Sequence, residues 1–218
     1  MLHPARLRNP ALLLRALSAL LSYPDGELRE ALPEIVEAIR ESRAINRKSK
    51  EGLIALADEI ARSDKFEAQG RYVELFDLGR RTSLNLFEHI HGDSRKRGPA
   101  MIELQKRYGK AGLEQEANLL PDHLPVLLEY LSCCKPGEMR DTLGEISHVV
   151  RRLGNTLLQR NSRYAAVMAA LLDIGRKKGL DARAPPPPPD DIDGEWEEKP
   201  AFAEPDSKLM IMPEKRRA

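Results

Sequence analysis

The residues that could do chemistry in this chain gather between Gln69 and Leu124, where Glu88, His89, His91 and Asp93 share one short stretch and Asp122-His123 lies near the far end. Imidazole with carboxylate suits zinc or iron, so the first group has the composition of a metal site. Its spacing argues the other way: two positions apart on a helix, His89 and His91 point about 200° apart and cannot grip one ion. A structural role and no bound metal are therefore expected. Asp122 and His123 have the types of an acid/base pair, yet no nucleophile motif, phosphate loop or second carboxylate dyad accompanies them. Helix capping by Asp122 is the competing reading. Arg80-Arg81 and Arg95-Lys96-Arg97 could meet nucleic acid, but without interleaved aromatics or a recognisable module they read as a solvated face.

Three apolar helical stripes would hold these groups. Tyr72, Leu75 and Phe76 share a face at i, i+3 and i+4, with Asp77 at the helix end before a stop at Gly79. Thr82 or Ser83 is the candidate cap of a second helix carrying Leu84, Phe87 and His91 and closing at Gly92. Asp122 is the candidate N-cap of a third, with Pro125 in its first turn and Leu124, Leu127, Leu128 and Leu131 as its stripe.

The flanking chain repeats this grammar. Asn9-Pro10 opens a helix carrying Leu13, Leu14, Leu17, Leu20 and Leu21, and Asp25 caps the next, which Pro33 is expected to kink or divide. Leu53, Leu56 and Ile60 mark a further stripe, and Met101, Leu104, Tyr108 and Ala111 another, with Pro99 near its start. From Met139 through Leu143, Ile146, Val150 and Leu153 to Leu157 the spacing alternates four and three, which predicts one long bundle helix. Tyr164 to Ile174 predicts the last helix, before Gly175.

Composition agrees with an all-α body. Hydrophobic residues make up 41% of the 218, enough for one core, while strand-like alternation of β-branched residues is absent. The net charge of +1 is the balance of 35 basic and 34 acidic residues that are interspersed, which argues against a dominant nucleic-acid or membrane-surface footprint. Arg15 interrupts the N-terminal apolar run too early for a secretory signal, and no segment approaches a membrane span. Cys133 and Cys134 are neighbours and cannot staple distant segments, so a reducing cytoplasm is expected.

Past Ala184 the composition changes to five prolines, Pro185 to Pro189, and then eight acids with one lysine between Asp190 and Asp206. The expected organisation is a helical domain over 1–182 and a Pro-rich, acidic, disordered tail over 183–218. Leu209-Met210-Ile211-Met212 is an apolar tetrad within that tail.

Residues 72–77 (Tyr-Val-Glu-Leu-Phe-Asp), 82–92 (from Thr82 to Gly92) and 121–125 (Pro-Asp-His-Leu-Pro) together resemble the nitrate reductase molybdenum-cofactor assembly chaperones, the NarJ family. The likeness extends forward to 17–24 and covers most of residues 10–180. The wider group of TorD and DmsD redox-enzyme maturation chaperones is all-helical and shares the aromatic-Leu-Phe and Pro-Asp-His elements. The resemblance implies a single helical-bundle chaperone, cytoplasmic and not an enzyme, that holds the N-terminal segment of a molybdenum-containing catalytic subunit ready for cofactor insertion. It implies no cofactor of the chaperone's own, no nucleic acid and no stable membrane insertion.

In that light Tyr72, Leu75, Phe76, Asp77, Asp122, His123 and Leu124 become candidate peptide-binding residues. Phe87, Glu88 and His91 join them, with Tyr72, Phe76 and Phe87 as an apolar floor and the acids meeting basic peptide residues. Two rival readings are a metal-dependent hydrolase built on His89, His91 and His123 and a nucleic-acid adaptor using the basic runs.

Overall fold

In a computed structural model the described residues are 10–91, 95–114, 119–181 and 183. Asn9, Gly92, Asp93 and all of the expected tail but Arg183 lie outside them. Ten α-helices form this part of the chain: α1 (Pro10–Leu20), α2 (Gly26–Glu41), α3 (Arg47–Arg62), α4 (Lys65–Tyr72), α5 (Leu86–His91), α6 (Arg97–Lys110), α7 (Leu124–Cys133), α8 (Pro136–Glu145), α9 (Ser147–Gln159) and α10 (Ala165–Ile174). The one β-bridge among the described residues pairs Asn85 with His123.

The leucine-rich α1 is central because apolar residues occupy more than one of its faces. Leu13, Leu14, Leu17 and Leu20 are all buried, against α7, α2 and α10. Each such side chain contributes about 1.5–3 kcal/mol by leaving water. Polar contacts set the register of α1 on α7: Ser18 Oγ donates to the Pro125 carbonyl at 2.9 Å, and Arg15 Nε donates to Ser132 Oγ at 3.2 Å. On the other side α10 packs on α9 and α3. Gly154 of α9 permits that approach, since a Cβ there would lie 2.8 Å from Met168 Cβ. No helix among the described residues is long and apolar enough to cross a membrane.

Local signals explain most helix starts. Asp25 Oδ1 accepts from Leu28 N at 2.9 Å, Asn46 Oδ1 from Ser49 N at 2.9 Å, and Asp64 Oδ1 from Phe66 N and Glu67 N. Two expectations change. Pro33 does not divide α2, which continues to Glu41; it sits on the exposed face, where water can serve the carbonyl its missing N–H leaves free. The stripe from Met139 to Leu157 is two helices meeting at Ile146. Ser147 Oγ donates to the Gly144 carbonyl at 2.7 Å and His148 Nδ1 lies 3.0 Å from the Glu145 carbonyl, so side chains occupy acceptors that the ladder would have used. The adjacent Cys133 and Cys134 are free thiols.

Candidate functional site

At Tyr72 the backbone of α4 widens into a π turn, Val73–Asp77, followed by a 3-10 turn, Arg80–Thr82. The wide turn sends its residues to opposite fates. Tyr72 and Phe76 turn inward and are each only 5% exposed, whereas Asp77 is exposed and Leu78 is 76% exposed. Thr82 Oγ1 closes the loop by donating to the Leu75 carbonyl, with the Gly79 carbonyl also in reach at 3.2 Å. Gly79 is required there for space: a Cβ would sit 2.5 Å from both the Leu75 carbonyl oxygen and Thr82 Oγ1.

Neither Thr82 nor Ser83 caps α5, contrary to the expectation. Thr82 is engaged backward, and Ser83 Oγ accepts from Asn85 N at 3.2 Å. The cap comes from Asp122, 35 positions away, whose Oδ2 accepts from Phe87 N at 2.8 Å. This also corrects the role of Asp122 itself, because α7 begins after His123 without a side-chain cap. Backbone bonds Leu86 N to Asp122 O (3.1 Å) and Leu124 N to Leu84 O (2.9 Å) clasp the two segments around the Asn85–His123 bridge. Once the backbones are paired, the Asp122 side chain lies over the start of α5 and cannot serve its own helix.

A cleft of about 510 Å³ opens beside this clasp, lined by Phe76, Asp77, Arg80, Ser83, Asn85, Glu88, His89 and Arg97. Of the ten expected site residues, Phe76, Asp77 and Glu88 line it. His123 stands at its back, with Nδ1 3.3 Å from Asn85 Oδ1. Phe87 and His91 are half-buried and stack edge-on at 5.3 Å, outside the lining set. Leu75 is half-buried against the core.

Tyr72, Asp122 and Leu124 differ from the expectation of ligand-facing groups. Asp122 and Leu124 are both 0% exposed. The Tyr72 hydroxyl is spent on the Leu21 carbonyl at 2.8 Å, and its ring packs on Phe76, Tyr23 and Tyr164. Of the cleft residues, Asn85 carries no sequence signal beyond lying within a motif, and Ser83 reads only as a candidate helix cap. Arg80, His89 and Arg97 were visible, but under other chemistries.

Electrostatically the cleft is a mixed-charge surface. Burial would push Glu88 up, but hydrogen bonds from Ser83 and Asn85 and the Arg97 guanidinium 3.4 Å away together hold it below the ordinary glutamate range. Burial pushes His89 down, and its Nε2 is committed to the Ser83 carbonyl at 2.8 Å. Burial likewise lowers His123, against the opposing pull of the Asp77 carboxylate. Both imidazoles are held neutral. His89, His91 and His123 thus each have their own partner, and among the described residues no three His, Cys, Asp or Glu side chains converge as metal ligands.

Comparison with known proteins bears on the whole body. Residues 23–170 match the family described as the nitrate reductase delta subunit. The chain is 37% identical over 190 residues to the nitrate reductase molybdenum cofactor assembly chaperone NarJ of Escherichia coli K12, covering 84% of this chain and 80% of that one. It is 31% identical over 170 residues to a Bacillus subtilis protein assigned as NarJ, covering 76% and 91%. A crystal structure from Archaeoglobus fulgidus, assigned to a redox enzyme maturation protein, superposes with a TM-score of 0.51 at 23% identity, covering 77% of this chain and 94% of that one, which supports the fold. On the strength of a match running through nearly the whole helical body, this chain belongs to the nitrate reductase delta subunit family, together with the NarJ assembly chaperones.

Proposed function

We propose that this chain is a dedicated chaperone for maturation of a respiratory nitrate reductase. In this reading it binds the N-terminal segment of the molybdenum-containing catalytic subunit and keeps that subunit competent for cofactor insertion. The observation that carries the proposal is the 37% identity to NarJ across 84% of the chain. The work is binding, done in the cytoplasm, with no bond made or broken by the chaperone.

The cleft beside the clasp suits that task. Phe76 offers an apolar base, and Asp77 and Glu88 offer carboxylates to basic residues of an amphipathic peptide helix. Arg80 and Arg97 also line the cleft and would set the peptide's register by repelling misplaced cations. Tyr72, Asp122 and Leu124 support this surface from beneath. Ordering a flexible peptide costs roughly 2–5 kcal/mol of the gross interaction, which keeps binding reversible and allows release once the client has folded around its cofactor.

Titration of the purified chain with a peptide from the amino terminus of the catalytic subunit tests the proposal, alongside restoration of nitrate reductase activity in cells lacking their own assembly chaperone. Binding that Asp77→Asn weakens, plus restored activity, is the expected result. Absence of both would overturn it.

A further inference from the structure

The geometry points to Asp122 as a positioning residue: it governs client binding by holding α5 in place and does not itself touch the client. This inference rests on the proposed function and specifies how one part of that site works. Three observations converge on it. Asp122 is 0% exposed, so no peptide in the cleft reaches its carboxylate. Its Oδ2 takes the Phe87 N–H at 2.8 Å, an otherwise orphaned donor in the first turn of a six-residue helix too short to be stable alone. Its other oxygen, Oδ1, is buried without a hydrogen-bond partner, so the carboxylate is kept at a desolvation cost.

What α5 carries explains why this matters. Glu88 and His89 form one wall of the cleft, and α5 is also held at its far end, where Arg152 of α9 donates to the His89 carbonyl at 3.0 Å. The Asp122 segment is itself gripped, since the Tyr108 hydroxyl donates to the Pro121 carbonyl at 2.7 Å. A force on α5 is therefore passed to α6 and α7 through this one side chain and the paired backbone around it. A direct contact would need the negative charge of Asp122, whereas a latch needs only an oxygen acceptor at the Phe87 N–H.

Two substitutions in the full chain separate these roles. Asp122→Asn keeps an amide oxygen for Phe87, while Asp122→Ala leaves the donor without a partner. Amide hydrogen exchange of Leu86, Phe87 and Glu88 is read without client, and affinity for the client peptide is read by calorimetry. The expectation is at least tenfold faster exchange in Asp122→Ala with at least tenfold weaker binding, and rescue of both to within about threefold in Asp122→Asn. If Asp122→Asn binds as poorly as Asp122→Ala while its α5 amides stay protected, the charge itself is used and the inference falls. It falls equally if α5 stays protected in Asp122→Ala, or if Asp122→Ala does not fold and Asp122→Asn shows unprotected α5 amides. Should the wild-type chain fail to bind the peptide at all, the functional reading fails, while the exchange data still decide whether Asp122 latches α5.

Discussion

Tyr72→Phe removes one oxygen atom and tests whether this tyrosine belongs to the core or to the binding surface. The ring keeps its packing: Phe76 at 5.0 Å, Tyr23 edge-on at 5.7 Å and Tyr164 edge-on at 6.3 Å. What is lost is the 2.8 Å bond to the Leu21 carbonyl, and with it a partner for a buried acceptor just past the end of α1. Leaving such a group without its partner costs about 1–3 kcal/mol. For a domain of this size each 1 kcal/mol lowers the melting temperature by about 2–4 °C, so a drop of about 2–12 °C is expected. Circular dichroism melts at 222 nm would read it, and calorimetric titration with the client peptide should give an affinity within about twofold of wild type. An unchanged melt with a tenfold loss of affinity would mean that the hydroxyl faces the client, and the assignment of Tyr72 to the core would be refuted.

Leu124→Ala removes a side chain that is 0% exposed and should cost about 2–5 kcal/mol in urea unfolding, a larger loss than any substitution at exposed Asp77. Gly79→Ala forces a methyl to within 2.5 Å of the Leu75 carbonyl and Thr82 Oγ1 and should destabilise by about 1–3 kcal/mol; an unchanged urea midpoint would contradict the close approach. Because His89 and His123 titrate below the ordinary imidazole value of about 6.5, the unfolded chain binds protons first, so their contribution is complete above that value and is lost as pH falls through the window below it. His89→Gln, which can still donate to the Ser83 carbonyl, should flatten the fall in melting temperature between pH 7 and pH 5.5; an identical slope in the variant would remove His89 from the account.

The helical frame was readable because its signals are local. Asp25 before the Leu28 stripe and the paired leucines of α1 each act within a few residues, and caps and stripes specify a helix without reference to the rest of the chain. Errors arose where a competing partner was invisible. Pro33 is expected to kink or divide α2, yet the helix runs undivided to Glu41 with the proline on its exposed face. The apolar repeat through Ile146 is real and fully buried at Leu143, Val150, Leu153 and Leu157, yet the hydroxyl of Ser147 and the imidazole of His148 end one helix and start another without disturbing that face. Hydrophobic period reports which side faces the core; it is blind to a backbone break that preserves the side.

The site was harder to read for a related reason. Asp122 looked like the cap of the helix that follows it, and the physical rule behind that reading, a short polar side chain ahead of an apolar stripe, is sound. It failed because the segment is paired with Leu84–Leu86, which brings an orphaned N–H of α5 nearer than any of α7. Tyr72 and Phe76 show the same limit: four residues apart on what reads as one face, both are buried, but the π turn leaves Phe76 at the base of the cleft and sets Tyr72 behind it. A motif therefore gathers two kinds of residue that spacing alone cannot separate, those that present a surface and those that hold it. Their place relative to the cleft separates them. Asp77 and Glu88 present their carboxylates to the cleft, whereas Asp122 carries a carboxylate that burial pushes up and that the Phe87 N–H, the nearby Arg97 and its own backbone N–H pull back down. An ionisable group kept in so unfavourable a place has its effect on whatever it holds, and what it holds here is the helix that forms one wall of the cleft.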